Sequence, residues 1–332
     1  MADIITIADE PERALDRACQ VLAEAEPVAM PTETVYGLAA DATNPDAIAR
    51  IYEIKGRPRF NPLIAHVSNL EMAEAHATFD PLSLKLAKAF WPGPLTLVLP
   101  LKPESAIHPL CTAGLSTVGL RWPRGFAGDL IARYGKPLAA PSANTSGRIS
   151  PTSAEHVAAD LGEKLQLILD GGAAGVGVES TIIKVDAQGV HLLRPGGLSV
   201  AAIEAEIGQP VLRSEHAAGE AIEAPGMLAS HYAPTASVRL NAGTVSRDEV
   251  LINFGDQPIA GRDEARAIFE LSKTGNLREA AANLFSTMIK ADAVGAGRIA
   301  FAPVPDQDLG EAINDRIRRA AAPRGEEDSQ HG

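Results

Sequence analysis

The sequence is short of what a secreted scaffold, a membrane protein or a general nucleic-acid binder needs. Only Cys19 and Cys111 occur in 332 residues, and two cysteines without CxxC spacing supply neither a disulfide framework nor a zinc motif. A reducing cytoplasm fits such a chain. Cys19 falls on the apolar stripe of a helix pattern, where a thiol serves as a small core residue. Long apolar runs are missing as well. The N-terminus, MADIITIADE, has no basic segment and no extended hydrophobic one, and the run Leu95 to Leu99 meets Pro100; neither a signal peptide nor a membrane span is expected. Positive charge is scarce. A formal net charge of -12 opposes broad, sequence-independent attachment to nucleic acid, which needs basic surface to release counterions. Aromatic side chains make up 4%, which gives few platforms for stacking successive bases. A Walker loop is absent too: the glycines of DGGAAGVG (Asp170 to Gly177) precede a strand pattern, not a helix, so nucleotide chemistry here is not P-loop chemistry.

What the chain does have is apolar material, 45% of residues, enough for real cores in two domains. Its most informative stretch starts where an apolar strand around Val28 to Met30 stops at Pro31. Thr32, Glu33, Thr34 and Tyr36 follow, and Gly37 is expected to make a tight turn. Asn44 then caps a helix with Pro45 at its first position, Ile48, Ile51 and Tyr52 on one face, and Gly56 at its end. Lys55, Arg57 and Arg59 cluster there, ahead of Asn61 and an apolar strand carrying His66. One lysine at a helix C-terminus merely complements the dipole. Three cations within five positions predict an anion site suited to polyphosphate, because fixed cations offset the charge that phosphoryl transfer spreads over oxygens.

The rest of the chain alternates strands and helices. Asp9 and Glu12 stand at capping-box spacing before the stripe Leu15, Cys19 and Leu22. Ser68 to Phe79 and Pro81 to Phe90 read as helices, WPGP as an architectural turn, and LTLVLPL as a buried strand. In STVGLR, alternation puts Thr117, Gly119 and Arg121 on one face and Val118 and Leu120 on the other. An arginine so placed either forks onto a carboxylate or stands in solvent. The strand Pro137 to Ala140 runs into PSANTSGRISPT, where Ser142, Asn144, Thr145, Ser146 and Ser150 crowd a glycine before a helix expected at the Thr152 and Glu155 capping pair. Such a loop can hold phosphate oxygens or a metal shell, or it can simply turn the chain. Strands at Leu165 to Leu169, Val178 to Val185 and His191 to Arg194 follow, and a helix from Ser199 to Ile207 closes a first domain, 1–207.

Residues 208–236 lose periodicity and read as a linker. Its AIEAPGMLASHYAPTA segment offers an imidazole, a phenol and rigid turns that could cover the first domain's cleft as a lid, or form only a solvated tether. Residues 237–322 alternate strands (Ser237 to Leu240, Val250 to Phe254, Arg298 to Phe301) with helices (Asn276 to Ala291, Asp308 to Ala321, the latter with Asp308 and Glu311 as its cap), a small α/β domain. The polar tail, 323–332, is expected to be disordered.

Seven ordered blocks, PTETVYGL, KGRPRFNPLIAHV, WPGPLTLVL, STVGLRWP, APSANTSGRISPT, GVEST and LLRPGG, resemble the threonylcarbamoyl-AMP synthase family with its YrdC-type catalytic domain. PGMLASHYAP followed by an α/β domain resembles the longer form. The resemblance covers nearly all of the first domain and the linker, and is weaker beyond. It implies an α/β fold in which a twisted mixed-sheet YrdC-like domain is joined to a smaller Rossmann-like one. The implied enzyme is a nucleotidyltransferase that makes threonylcarbamoyl-AMP and pyrophosphate from L-threonine, bicarbonate and ATP with Mg²⁺ carried on the phosphates. That product would feed the tRNA threonylcarbamoyl transferase machinery for modification beside the anticodon, with little direct tRNA binding by this chain.

Family positions carry over one at a time. The KxR pair falls on Lys55 and Arg57, implied catalytic and ATP-binding residues, and the SxN pair on Ser142 and Asn144. Asn61, Thr117, Ser150, Arg194 and the linker's Tyr232 also match nucleotide-side positions. Thr34, His66, Arg121 and Ser180 match the threonine side, with Ala140 offering its backbone. Ala224 precedes the PGM turn where the family often has serine. Two alternatives stand beside this reading: a carbamoyl-adenylate-forming maturation enzyme, whose zinc-finger-like cysteines this sequence lacks, and a non-catalytic RNA-binding module, which net acidity disfavours.

Overall fold

The computed structural model describes residues 1–213, 224–225 and 231–323, and the chain divides into two compact units. The first comprises Met1–Ser146 and Pro151–Met227; the second comprises Gly147–Ser150 and Leu228–Gly332. Most of the linker, including Gly226 and Met227 of the PGM turn, and the tail beyond residue 323 lie outside the described residues.

In chain order the first unit contains β1 (Asp3–Thr6), α1 (Pro11–Ala23), β2 (Val28–Met30), β3 (Gly37–Asp41), α2 (Pro45–Lys55), β4 (Ile64–His66), α3 (Leu70–His76), α4 (Pro81–Phe90), β5 (Leu95–Pro100) and α5 (Pro109–Thr112). It continues with β6 (Thr117–Arg121), α6 (Phe126–Tyr134), β7 (Leu138–Ala139), α7 (Ala154–Leu161), β8 (Leu167–Asp170), β9 (Thr181–Asp186), β10 (Gly189–Arg194), α8 (Val200–Ile207) and β11 (Leu212–Arg213). The strands form one 11-stranded mixed sheet in the order β1-β8-β2-β3-β7-β4-β6-β5-β9-β10-β11.

Strand alternation gives that sheet two different faces. One buries Ala65, Leu97, Val118, Leu120 and Ile183 beneath helical residues such as Ile48, Ile51 and Leu86. The other is covered over β1, β8, β2 and β7 by Ala14, Ala18 and Leu22 of α1 and Leu130 and Ile131 of α6. Further along, on β4, β5 and β9, that same face presents Ile64, Val98 and Ile182, and Ala224 of the linker packs on them. Thr117, His66 and Arg121, three of the site residues expected from the sequence, lie on β4 and β6 in this part of the sheet.

Local chemistry explains where the elements begin and end. Asn44 caps α2 through Asp46 N at 2.9 Å, Pro45 fills the first turn, and Gly56 ends the helix at φ 60°, a conformation that favours glycine. Several expected boundaries move. Gly37 does not make a turn: it opens β3 in register with Met30, so the bend lies within Pro31 to Tyr36. The Asp9–Glu12 capping box does not form, because α1 starts one residue beyond Glu10, which makes no side-chain cap. Ser153 rather than Thr152 caps α7, and Asn69 starts α3 inside the longer helix expected there. Asp308 occupies the N-cap position of the last helix without a side-chain bond to it.

The second unit contains β12 (Ser237–Arg239), β13 (Glu249–Phe254), β14 (Ala267–Ser272), α9 (Leu277–Ala293), β15 (Arg298–Phe301) and α10 (Leu309–Ala321). Its strands are all parallel, in the order β12-β15-β13-β14. Of these, β14 is not expected from the sequence. Leu284, Phe285 and Met288 of α9 are buried in the core of this unit. Among the described residues of both units, no helix is long and apolar enough to cross a membrane.

Candidate active site

The geometry grows from three neighbouring strands. β4 pairs in parallel with β6, so Ile64 lies opposite Gly119 and His66 opposite Arg121. β7 runs antiparallel on the other side of β4, with Leu138 opposite His66, and Ala140 N donates to Ile64 O at 3.1 Å. Antiparallel pairing carries the chain after β7 back toward Asn61, where the SAN loop meets the end of α2. Lys55 Nζ donates to the Ser142 carbonyl at 2.6 Å and to the Asn144 carbonyl. Ser146 N returns a bond to Lys55 O at 2.8 Å. The two polar blocks 87 residues apart are therefore one structure.

Lys55 is 2% exposed. Burial first, then the nearby Arg57, push its pKa well below the usual lysine range, and Asp160 partly opposes them. Arg57 is held by the Asn61 carbonyl at 3.2 Å and the Pro62 carbonyl at 2.9 Å. Arg59, the third cation of the sequence cluster, is exposed. Asn61 keeps a buried side-chain oxygen, Oδ1, with no hydrogen-bond partner. A narrow crevice, too tight to admit water, is lined by Pro62, Ile64, Thr117, Gly119, Ala224 and Pro225, among others. Gly119, without a side chain, widens the path between β4 and β5.

At the other end of the strand pair, Arg121 is buried, donates through Nε to Gly93 O at 3.3 Å and pairs with Glu33 at 2.8 Å. The strand alternation read from STVGLR holds: Val118 and Leu120 enter the core, while Arg121 faces the opposite way. His66 is 3% exposed; burial foremost, and Arg121 next, lower its pKa to about 3. Its imidazole is neutral throughout the physiological range and serves as a hydrogen-bonding group, not a cation. Thr34, fully buried, shares a 2.8 Å bond with Thr32. Ser180 Oγ meets Thr96 Oγ1 at 2.7 Å. Arg194 binds the Ser180 carbonyl at 2.9 Å and reaches the Pro225 carbonyl at 3.3 Å, so Arg194 ties the linker to this face.

Ser150 and Tyr232 belong to the second unit. Ser150 is fully buried. Tyr232 stacks on Phe285 at 5.4 Å, with the Arg316 guanidinium over its ring at 5.2 Å. Gly147 also joins the second unit, and its carbonyl accepts from Ala233 N at 2.9 Å.

Sequence reasoning gave no role to three groups. Glu33 is the only carboxylate in the TET segment, Thr96 the only hydroxyl in an apolar strand, and Asp160 the anion nearest Lys55's loop, accepting from Thr145 N and Oγ1 at 2.6 and 2.7 Å. The first two were visible as polar residues in apolar surroundings. Cys111 is buried, and burial pushes its thiol up to about 12, too high for a nucleophile. Among the described residues no three His, Cys, Asp or Glu side chains gather as a metal site. A larger cavity, about 670 Å³ along Asp256 to Glu264, is confined to the second unit and contains none of the expected site residues.

A mixed α/β sheet with one polar half-face defines a class, and the comparisons identify it. Residues 20–196 match the Sua5/YciO/YrdC family model, described as telomere recombination, and residues 198–322 match the model described as the threonylcarbamoyl-AMP synthase C-terminal domain. The chain belongs to the threonylcarbamoyl-AMP synthase family. It is 42% identical to the threonylcarbamoyl-AMP synthase of Bacillus subtilis over 93% of each chain. It is 41% identical to that of Pyrococcus abyssi, over 92% of this chain and 94% of the relative. The crystal structure of P. abyssi Sua5 complexed with L-threonine superposes with a TM-score of 0.86 at 36% identity, covering 97% of both chains. E. coli YciO, 22% identical with a TM-score of 0.54, covers 59% of this chain and 96% of its own; that likeness shows the fold alone.

Proposed function

We propose that this chain is an L-threonylcarbamoyladenylate synthase: it joins L-threonine, bicarbonate and ATP into threonylcarbamoyl-AMP and releases pyrophosphate and water. The observation that carries this is the bonding of Lys55 to the Ser142 and Asn144 carbonyls, which sets a lysine, Arg57 and the SAN loop at one end of a strand pair whose other end bears His66 and Arg121. Asn61 lies three residues before β4 and His66 ends it, so at most roughly 16 Å of extended chain separates them, a length suited to an amino acid joined to a nucleotide.

In this reading the triphosphate lies at the α2 end, against Lys55, Arg57, Asn61, Thr117, Ser142, Asn144 and Arg194. L-threonine lies toward Thr34, His66, Arg121 and Ser180, with the Ala140 backbone beside it. The carbamate of threonine is an anionic nucleophile toward the α-phosphate, so the site must hold two anions together. Lys55 and Arg57 stabilise the charge gathering on pyrophosphate as it leaves. A bound polyphosphate also favours the charged form of Lys55, opposing the effect of burial. Mg²⁺ carried by ATP would supply further charge neutralisation beside Lys55 and Arg57. His66 stays neutral and orients the amino acid. No residue becomes covalently attached to substrate. The product goes to the machinery that transfers the threonylcarbamoyl group to tRNA, in the cytoplasm.

The test is pyrophosphate release by the purified protein, with threonine and bicarbonate omitted in turn. The reading requires release to fall to background in both omissions. Release that persists without threonine, or substitution of carbamoyl phosphate for both, rejects it.

A further inference from the structure

Glu33 carries an unexplained arrangement. It sits in the bend between β2 and β3, and the backbone around it is tied down. Val176 N donates to the Glu33 carbonyl at 2.8 Å and Gly177 N to the Thr34 carbonyl at 3.1 Å. Thr32 Oγ1 bonds the Val35 carbonyl at 2.7 Å. The side chain is 14% exposed. One carboxylate oxygen, Oε2, lies 2.8 Å from Arg121 Nη2 and accepts from Arg124 N at 3.3 Å. The other, Oε1, is sealed from solvent and has no hydrogen-bond donor.

Arg121 is in the matching position. Nη2 is near enough to Glu33 for an ion pair, yet its N–H bonds are not aimed at an acceptor, and it too is buried without a hydrogen bond. A buried acceptor and a buried donor left unmade each carry a desolvation cost, and native structures keep few of them. Here the two occur side by side, with opposite polarity.

We infer that Glu33 and Arg121 form a clamp for the zwitterion of an α-amino acid: Glu33 Oε1 receives the α-ammonium, and Arg121 receives the carboxylate. This rests on the functional reading above and adds a residue and a selection rule to it. Both unmet bonds are satisfied by one ligand, because an ammonium brings only donors and a carboxylate only acceptors. The 2.8 Å ion pair keeps the two charges compensated until that ligand arrives. It follows that the site selects against 2-hydroxy acids, which keep the carboxylate and lose the ammonium. The competing account gives Glu33 no ligand and makes it a counter-ion that permits Arg121 to be buried. That account predicts that removing the charge weakens every carboxylate ligand alike.

The two accounts separate on a ratio of affinities, which does not depend on the fraction of folded protein. Calorimetric titration with L-threonine and with its amine-free analogue, 2,3-dihydroxybutanoate, is carried out on the full chain, on Glu33→Gln and on Glu33→Asp. The wild type is expected to prefer threonine. Glu33→Gln should weaken threonine by about tenfold or more while leaving the analogue within about twofold, and Glu33→Asp should keep the preference. In steady state, Glu33→Gln should raise KM for threonine with a smaller effect on KM for ATP. Parallel loss of both ligands, or unchanged preference in Glu33→Gln, overturns the clamp and leaves the functional reading standing. Failure of the wild type to bind threonine overturns the functional reading, and the clamp with it.

Discussion

Burial decides what each charged side chain of the candidate site can do. Arg57 is fixed by two carbonyls, those of Asn61 and Pro62, so its charge is positioned before any ligand arrives. Removing a preorganised charge donor of this kind costs on the order of 3 kcal/mol in transition-state stabilisation. Arg57→Ala should therefore lower pyrophosphate-release kcat/KM by roughly two orders of magnitude with the fold intact by circular dichroism; wild-type release would remove Arg57 from the mechanism. His66 supports a prediction about pH. Its folded pKa of about 3 lies below the unfolded value near 6.5, so above pH 6.5 it contributes nothing to the pH dependence. As pH falls below that, the unfolded chain binds the proton first and stability drops by roughly 1.4 kcal/mol per pH unit toward pH 3. Urea unfolding at pH 6.5 and 4.5 should show a smaller loss in His66→Gln than in the wild type, by about 2–3 kcal/mol. Equal losses would show that His66 is not held neutral.

At this scale the sequence revealed residue types better than partners. The sequence reads Lys55, Arg57 and Arg59 as one cluster of three equivalent cations, whereas Lys55 and Arg57 are buried and Arg59 is exposed. Lys55 taken alone looks like a dipole complement. Its partners are backbone carbonyls 87 and 89 residues away, and a carbonyl leaves no mark on a sequence. Glu33 was visible as a carboxylate, whereas its proximity to Arg121 depends on the order of strands.

Elements were most legible where a cap and an apolar stripe agree. α2 has both, with Asn44, Pro45 and Gly56 at its ends. Caps that rest on one residue slipped: Ser153 replaced Thr152 because either neighbour can supply the oxygen, and Glu10 displaced Asp9. β1 and β14 are edge strands in which the apolar Ile4 and Ile268 are exposed, so the in-and-out alternation that marks a half-buried strand is missing from both. Glycines can be required for two reasons that look the same in a sequence. At Gly56 a side chain would stand in open space, and only the positive φ opposes it, whereas a methyl group on Gly196 would overlap the Glu179 carbonyl and the Ser180 backbone. Gly56→Ala should destabilise by about 1 kcal/mol and Gly196→Ala by about 2–3 kcal/mol, read as shifts of urea midpoint at constant m. Gly196→Ala should also weaken threonine binding, since Ser180 moves with that backbone. A Gly196→Ala variant as stable as Gly56→Ala would refute the overlap.

For the whole molecule, the sequence reads the loss of periodicity after Gly208 as a linker, and periodicity carries no sign that Ala224 and Pro225 remain with the first unit, which runs to Met227, or that Gly147 to Ser150 join the second. Those assignments come from packing: Ala224 on Ile64, Val98 and Ile182, and the Gly147 carbonyl on Ala233 N. The division gives a test of which unit binds the amino acid. His66 and Arg121 sit on β4 and β6 of the first unit, while β13 and β15 belong to the second. A ligand that binds only the native form adds about 2.7 kcal/mol of stability at a hundredfold excess over Kd, and the gain appears in amides that exchange by opening the unit that holds it. L-threonine should therefore slow exchange at core amides of β4 and β6, such as Ala65 and Leu120, by up to about a hundredfold. Amides of β13 and β15, such as Leu251 and Ala300, should change much less. Protection confined to the second unit would put the amino-acid site elsewhere.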